Sequence, residues 1–292
     1  MSKIIVVVGP TAVGKTALSI SLAKEYNGVV INADATQVYK LANIGTAKVT
    51  EEEKENIPHY MIDLVTLNDN YTVRDYQKEG REVLDKLIKE DKNIIIVGGS
   101  GLYTKALLYD YRFTDEDSNK DYTNLTNEEL KKKVDSIYKE NDIHINNRKR
   151  LERFLSHYEA TGEIIRNFEE KDKPLYDFTL IGLTAPREIL YDKINKRVDK
   201  MIDNGLIEEV KSLKDYKKTY SLIGYKEIIN YLNGKYSLEE AKEEIKKSTR
   251  KYAKRQYTWY KHQFENIHWF TTDYENFNNT INKVKDYLKE AN

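Results

Sequence analysis

Gly9-Pro10-Thr11-Ala12-Val13-Gly14-Lys15-Thr16 is the stretch that decides the fold. Ahead of it runs Ile4-Ile5-Val6-Val7-Val8, five β-branched residues in a row, the pattern of a strand buried on both faces. Behind it, Ala17 to Ala23 carries apolar residues at helical spacing. Glycines let successive backbone N–H groups turn onto one anion, and the helix that follows adds its positive end. Lys15 is long enough to reach an outer phosphate, and the Thr16 hydroxyl can hold Mg²⁺. The spelling G-x-x-x-x-G-K-T in a strand–loop–helix setting therefore reads as a phosphate-binding loop, Gly9 to Thr16. The expected fold is α/β, a P-loop NTPase-like parallel sheet flanked by helices. The loop alone leaves open which di- or triphosphate it binds and what is done to it.

Further strands extend the pattern. Val29-Val30-Ile31 runs into Asn32-Ala33-Asp34-Ala35-Thr36-Gln37, and the carboxyl ends of parallel strands face the ligand crevice, so Asp34 and Gln37 are expected near the phosphate loop. A carboxylate there serves equally as a general base, as a water-mediated Mg²⁺ holder or as a cap for the next helix. Pro58 to Asp63 reads as a short strand ending in an acid, with His59 structural. Asn93 to Val97 feeds a second glycine-rich junction, Gly98-Gly99-Ser100-Gly101-Leu102-Tyr103; lacking lysine, it is expected to let a substrate come close. Phe178 to Leu183 and Ile267 to Phe270 return to strand character. Ahead of Phe178, a polar hinge at 115–124, a capping box at Thr126 to Glu129, a helix opening on Arg148-Lys149-Arg150-Leu151-Glu152-Arg153 and a polar link at 169–174 read as a small helical insertion. The expected domains are thus 1–114 with 177–292 as the core, and 115–176 as the insertion.

The 292 residues hold 48 basic and 48 acidic side chains, so no global field draws the chain onto nucleic acid, and any such binding must come from local patches. No cysteine is present, which excludes disulfides and cysteine zinc sites and fits a reducing cytoplasm. No leader and no membrane-spanning segment is expected, and without heptads a monomer is. The 23 tyrosines are read as composition rather than function. One local patch stands out in the last long helix. Four glutamates fill residues 239–244, and then Lys246, Lys247, Arg250, Lys251, Lys254, Arg255 and Lys261 follow with no acid among them, interleaved with Tyr252, Tyr257, Trp259 and Tyr260. Helix-dipole compensation explains acid first and base last. Seven cations mixed with stacking aromatics exceed that need and suit a phosphate backbone with exposed bases.

Taken together, GPTAVGKT at 9–16, DATQVY at 34–39, IGTAK at 44–48, PHYMID at 58–63, GGSGLY at 98–103, RKRLER at 148–153, GYKE at 224–227 and TRKYAKRQYTWYK at 249–261 resemble the tRNA dimethylallyltransferase family over nearly the whole chain. That resemblance implies transfer of the dimethylallyl group of dimethylallyl diphosphate to N6 of the adenosine on the 3′ side of a tRNA anticodon, position 37, assisted by Mg²⁺ with Thr16 at the metal. It implies a donor site at Gly9 to Thr16, with Thr11 and Lys15 in the catalytic set and Asp34 taking the N6 proton. It also implies tRNA contacts at Asp34, Ala35, Thr36, Gln37 and Ser100, at Lys149, Arg150 and Arg153 in the insertion, and at Lys226, Arg250, Lys251, Lys254 and Arg255. Three departures from the family pattern stand out: Ala35 for a serine, Tyr60 for a second histidine, and Phe154-Leu155-Ser156 for Ala-Leu-Glu. Competing readings are a small-molecule or nucleoside-monophosphate kinase, for which Asp63 is the only candidate second acid, a prenyltransferase of free adenine nucleotides, and a tRNA-binding protein without catalysis.

Overall fold

A computed structural model describes residues 2–111, 113, 120–164 and 173–290. Strand β1 (Ile4–Val8) passes through the glycine loop into α1 (Lys15–Glu25) and β2 (Val29–Asn32); α2 (Glu51–Lys54), β3 (His59–Tyr60), α3 (Val73–Lys89), β4 (Ile94–Gly98) and α4 (Gly101–Leu108) follow. Next come α5 (Asn127–Ile137), α6 (Arg148–Thr161), β5 (Thr179–Thr184), α7 (Arg187–Asp203) and α8 (Leu206–Leu213). After a 3₁₀ turn at Lys217–Ser221, the chain ends in α9 (Tyr225–Leu232), α10 (Leu238–Gln263), β6 (His268–Thr271) and α11 (Phe277–Glu290). The helices at Thr50, Thr72, Thr126 and Ser237 all start on capping boxes, with the hydroxyl and the acid three residues on exchanging hydrogen bonds with each other's backbone N–H.

The six strands form one sheet in the order β3-β2-β4-β1-β5-β6, every pair parallel. β1 lies at its centre, Val6 opposite Ile96 of β4 and Leu180 of β5. All five residues of β1 and all four of β2 are buried, as the unbroken β-branched runs require of strands covered on both faces. Ile5, Val7, Val30, Ile95 and Ile181 meet Leu18 and Leu22 of α1, Ile194 of α7 and Val284 of α11 in the core. Because the strands are parallel, the carboxyl ends of β1, β2, β4 and β5 come together along one rim, and the loops leaving them share a crevice.

The strand expected over 58–63 pairs for only two residues. Met61 and Asp63 adopt positive φ, 61° and 55°, which turns the chain out of the edge of the sheet. There it pairs with the turn after β2 instead: Asp63 N–H donates to Gln37 O (3.1 Å) and Leu64 N–H to Val38 O (2.8 Å).

The chain divides into two compact units, Met1–Leu108 with Tyr176–Asn292, and Tyr109–Leu175. The smaller has its own core of Leu130, Val134, Leu151, Phe154 and Leu155. Arg148 staples it by donating to the carbonyls of Tyr122 (2.6 Å) and Leu125 (2.7 Å). Phe154 and Ser156, two of the departures, are buried and therefore serve packing within this unit. Residues 115–119 of the expected hinge and 169–172 of the expected link lie outside the described residues. No helix among the described residues is long and apolar enough to cross a membrane.

Candidate active site

The phosphate loop is held from behind. Ala12 O accepts from the Tyr274 hydroxyl (3.1 Å), Val13 O from Thr272 Oγ1 (2.9 Å) and Pro10 O from Lys15 Nζ (2.8 Å). Gly9 and Gly14 take φ of 146° and 100°, and a Cβ on Gly14 would lie 2.5 Å from the Phe277 ring. Among the described residues, nothing accepts from the N–H groups of Ala12 to Thr16. With its carbonyls anchored and its N–H groups unmatched, the loop is built for an anion. Burial lowers the pKa of Lys15 to about 8; the nearby Asp34 charge opposes that shift and Arg197 adds to it.

Arg197 is a site residue that the sequence reading missed. It reaches in from α7, its Nη1 donating to Thr11 Oγ1 at 3.4 Å, and burial lowers its pKa too. Its spacing was a usable signal: three residues after Ile194 and four before Met201, it lies on the inward face of α7 rather than among that helix's solvated charges.

At the end of β2, the Asn32 side chain fixes the exit of the strand through Met61 O (2.9 Å) and Asp34 N–H (3.2 Å). Asp34 Oδ1 accepts from Thr36 N–H (3.0 Å) and Thr36 Oγ1 (2.7 Å), closing a turn; it caps no helix, since the next one, α2, is capped by Thr50. Oδ2 accepts nothing among the described residues and faces Gly99, where an added Cβ would lie 3.2 Å from it. Asp34 shares its environment with Lys15, and its charge adds to burial in raising the pKa of Tyr103, Tyr252 and Tyr260. Tyrosines discounted on composition thus feel the charge of this carboxylate. Ser100 Oγ accepts from Ala35 N–H (2.8 Å), and Gln37 Nε2 donates to Ala47 O (3.2 Å).

At its three glycines the second junction is not open as expected; Ala33 and two side chains of α10 fill that space. A Cβ on Gly98 would strike Ala33 O at 2.1 Å, one on Gly99 would strike Gln256 Nε2 at 2.2 Å, and one on Gly101 would strike the Trp259 ring at 2.0 Å. Gln256 joins the two junctions, accepting from Thr11 N–H (2.8 Å) and donating to Gly99 O (3.0 Å). It too was missed; lying between Ala253 and Tyr260 on the buried stripe of α10, it is the one amide in a run of cations.

The basic run of α10 also needs correction. Three of its cations have partners: Lys246 pairs with Asp199 (3.0 Å) and Glu243 (3.1 Å), Lys247 with Glu244 (2.9 Å), and Arg250 donates to Asn195 Oδ1 (2.7 Å). Tyr260 is buried, Tyr252 and Trp259 pack inward, and Tyr257 leans on Trp269 with ring centroids 5.1 Å apart, so the aromatics mainly build the site's wall. Lys251, Lys254 and Arg255 remain exposed and line a surface groove with Thr258, Trp259 and His262. Lys226 is exposed, 3.6 Å from the Glu227 carboxylate. In the smaller unit Lys149 and Arg153 are exposed, while Arg150 pairs with Asp142 (3.0 Å).

Comparison with known proteins accords with this geometry. The model of the IPP transferase family matches residues 37–263. A tRNA dimethylallyltransferase of Alkaliphilus oremlandii (strain OhILAs) is 44% identical over 99% of this chain and 96% of its own. One from Enterococcus faecalis is 45% identical over 92% of each. Among solved structures, the tRNA isopentenylpyrophosphate transferase of Bacillus halodurans superimposes with a TM-score of 0.75 at 35% identity, covering 99% of this chain and 96% of that one. A eukaryotic dimethylallyltransferase acting on tRNA gives 0.82 at 28% identity, covering 99% of this chain and 80% of its own. A family match across most of the chain and relatives aligned almost end to end lead to one conclusion: the chain belongs to the IPP transferase family.

Proposed function

We propose that this chain is a tRNA dimethylallyltransferase that moves the dimethylallyl group of dimethylallyl diphosphate to N6 of the adenosine at position 37, next to the tRNA anticodon. The observation that carries this reading is the unengaged Oδ2 of Asp34 in the crevice shared with Lys15 and the open phosphate loop. An acid facing a cation-lined anion cradle suits a reaction in which a nucleophile loses a proton on one side while a diphosphate leaves on the other.

In the transfer, N6 attacks C1 of the dimethylallyl group and forms the new C–N bond. The C1–O bond breaks, its electron pair leaves with the diphosphate, and Asp34 takes the N6 proton. Thr11, Lys15, Arg197 and the N–H groups of residues 12–16 meet the charge that develops on the leaving oxygens. Gln37, Thr36, Ala35 and Ser100 border the acceptor base. The adenine leaves its stack to enter, at a cost of a few kcal/mol that a single-stranded loop keeps low. Lys251, Lys254, Arg255 and Lys226, joined by Arg250, contact the tRNA backbone, as do Lys149, Arg150 and Arg153 of the 109–175 unit.

Among the described residues no three His, Cys, Asp or Glu side chains gather as a metal cage. The exposed Thr16 hydroxyl at the start of α1 suits Mg²⁺ held chiefly by phosphate and water. When bound, the ion supplies charge neutralisation at the diphosphate. The kinase alternative loses its second acid, since Asp63 is tied to the buried Lys48.

The test mixes protein, Mg²⁺ and labelled dimethylallyl diphosphate with unmodified tRNA, with AMP, or with neither. Prenylated adenosine in tRNA alone is expected. Prenylated AMP points to the free-nucleotide reading, and phosphoryl transfer from ATP without prenylation overturns the proposal.

A further inference from the structure

Glu209, on α8, has no part in the site described above, yet its carboxylate is unusually engaged. It accepts the backbone N–H groups of Asn43 (3.0 Å), Ile44 (2.8 Å) and Gly45 (3.1 Å), and the Tyr225 hydroxyl (2.6 Å). Three consecutive N–H groups turned on one anion make a concave cradle of the kind that elsewhere holds a free anion. Here a side chain occupies it. The requirement is strict, because three of the four partners are backbone N–H groups that can only donate, shared between both carboxylate oxygens, and an acceptor-only group satisfies them all. Tyr225 completes the grip: its ring lies where a Cβ on Gly45 would be 2.3 Å away, and burial and the Glu209 charge together raise its pKa, keeping the hydroxyl a donor.

The gripped loop is tied internally as well. Thr46 Oγ1 donates to Ala42 O (2.6 Å), Lys48 N–H to Asn43 O (3.0 Å), and the buried Lys48 ammonium to Tyr39 O (2.7 Å). Its contact with the crevice is the Ala47 carbonyl, held by a backbone at φ 49° and accepting Gln37 Nε2 at 3.2 Å. Gln37 N–H in turn bonds Asp34 O at 3.3 Å. A continuous path of hydrogen bonds therefore runs from α8 and α9 through residues 43–47 to the side chain that borders the acceptor base. We propose that Glu209 is a positioning residue, fixing the 43–47 loop so that Gln37 presents its amide to the adenosine; this rests on the reading of Gln37 as an acceptor contact.

The experiment compares wild type, Glu209→Gln, Tyr225→Phe, Gln37→Ala and the Glu209→Gln/Gln37→Ala double variant in steady-state prenylation of tRNA, with thermal unfolding alongside. Glu209→Gln keeps the shape but aims an NH₂ at donors. It is expected to raise KM for tRNA at least about tenfold, as loss of charge-assisted bonds implies, with KM for dimethylallyl diphosphate within about twofold. The double variant is expected to be no worse than Gln37→Ala alone, since both break one path. Tyr225→Phe, which keeps the ring under Gly45, should shift tRNA KM in the same direction, by less, at a near-normal melting temperature. Additive losses in the double variant, or a fall in kcat for both substrates that tracks the melting temperature, overturn the proposal. An active wild type with an unaffected Gln37→Ala removes Gln37 from the base and the proposal with it. A wild type that leaves tRNA unprenylated overturns the functional reading itself, so the two failures are distinct.

Discussion

Two glycine-bearing junctions leave the carboxyl ends of adjacent strands, β1 and β4, and they are used in opposite ways. In the 9–16 loop the carbonyls are tied back by Tyr274, Thr272 and Lys15, and among the described residues nothing accepts from the N–H groups of residues 12–16. At 98–101 the glycines admit Ala33, Gln256 and Trp259, and the space they leave is closed by the chain itself. One junction is a socket and the other is the seat of a strut. Gln256 spans both, so α10 sets the position of the socket through the seat. A glycine pattern thus reports that something approaches the backbone closely but not what approaches; the lysine at the end of the motif made the difference.

The largest effect is expected across the crevice from the socket. Asp34→Ala should lower the transfer rate by about 10²–10⁴-fold while calorimetric affinity for dimethylallyl diphosphate stays as in wild type. A near-normal rate would leave Oδ2 without a chemical role. At the socket itself, Lys15→Met should weaken donor binding about 10–100-fold, the worth of a charge-assisted contact. It should not lower the melting temperature, because burial already disfavours the charged ammonium.

The same group gives a pH signature. Its pKa of about 8 lies below the ordinary 10.5, so between those values the unfolded chain holds this proton more firmly than the folded one. Stability from Lys15 therefore rises with pH across that window, while donor capture by the empty enzyme falls as pH passes about 8. A profile of kcat/KM for dimethylallyl diphosphate checks this, and Asp34→Ala, which removes the charge that favours protonated Lys15, should move the break to lower pH.

At the filled junction, Gly101→Ala should destabilise the fold by about 1–3 kcal/mol, the usual cost of overpacking, and should cost less in a Trp259→Ala background. Equal cost in both backgrounds would mean that Trp259 is not what fills the space. The smallest effect is expected on the α10 surface. Neutralising Lys251, Lys254 and Arg255 together should flatten the salt dependence of tRNA affinity by about 2 in log–log slope. Neutralising Lys246 and Lys247, which have acidic partners, should change it less.

The phosphate loop, the parallel sheet and Asp34 were legible in the sequence because each depends on neighbours in the chain: a buried strand, a glycine turn, a helix start. Arg197, Gln256 and Glu209 were not, because each acts on a segment remote in sequence, and within their own helices they look like ordinary polar positions. The aromatics of α10 misled for a related reason. Interleaving with cations is what a base-stacking face and a helix packed on a loop have in common, and only Trp259 against Gly101 tells which is present. Likewise the seven cations lost three to partners, two through acids one helical turn earlier, which the run of glutamates at 239–244 had already offered.

The central claim is that the diphosphate is anchored at the end of β1 while its hydrocarbon end meets a nucleobase nitrogen under Asp34. Single-turnover transfer from labelled dimethylallyl diphosphate to an anticodon stem-loop RNA, run with wild type and Asp34→Ala after donor binding has been matched by calorimetry, tests it most directly. The account predicts equal donor occupancy, with label reaching adenosine N6 about 10²–10⁴-fold more slowly in Asp34→Ala than in the wild type. Equal transfer by both proteins, or loss of donor binding with Asp34, would contradict it.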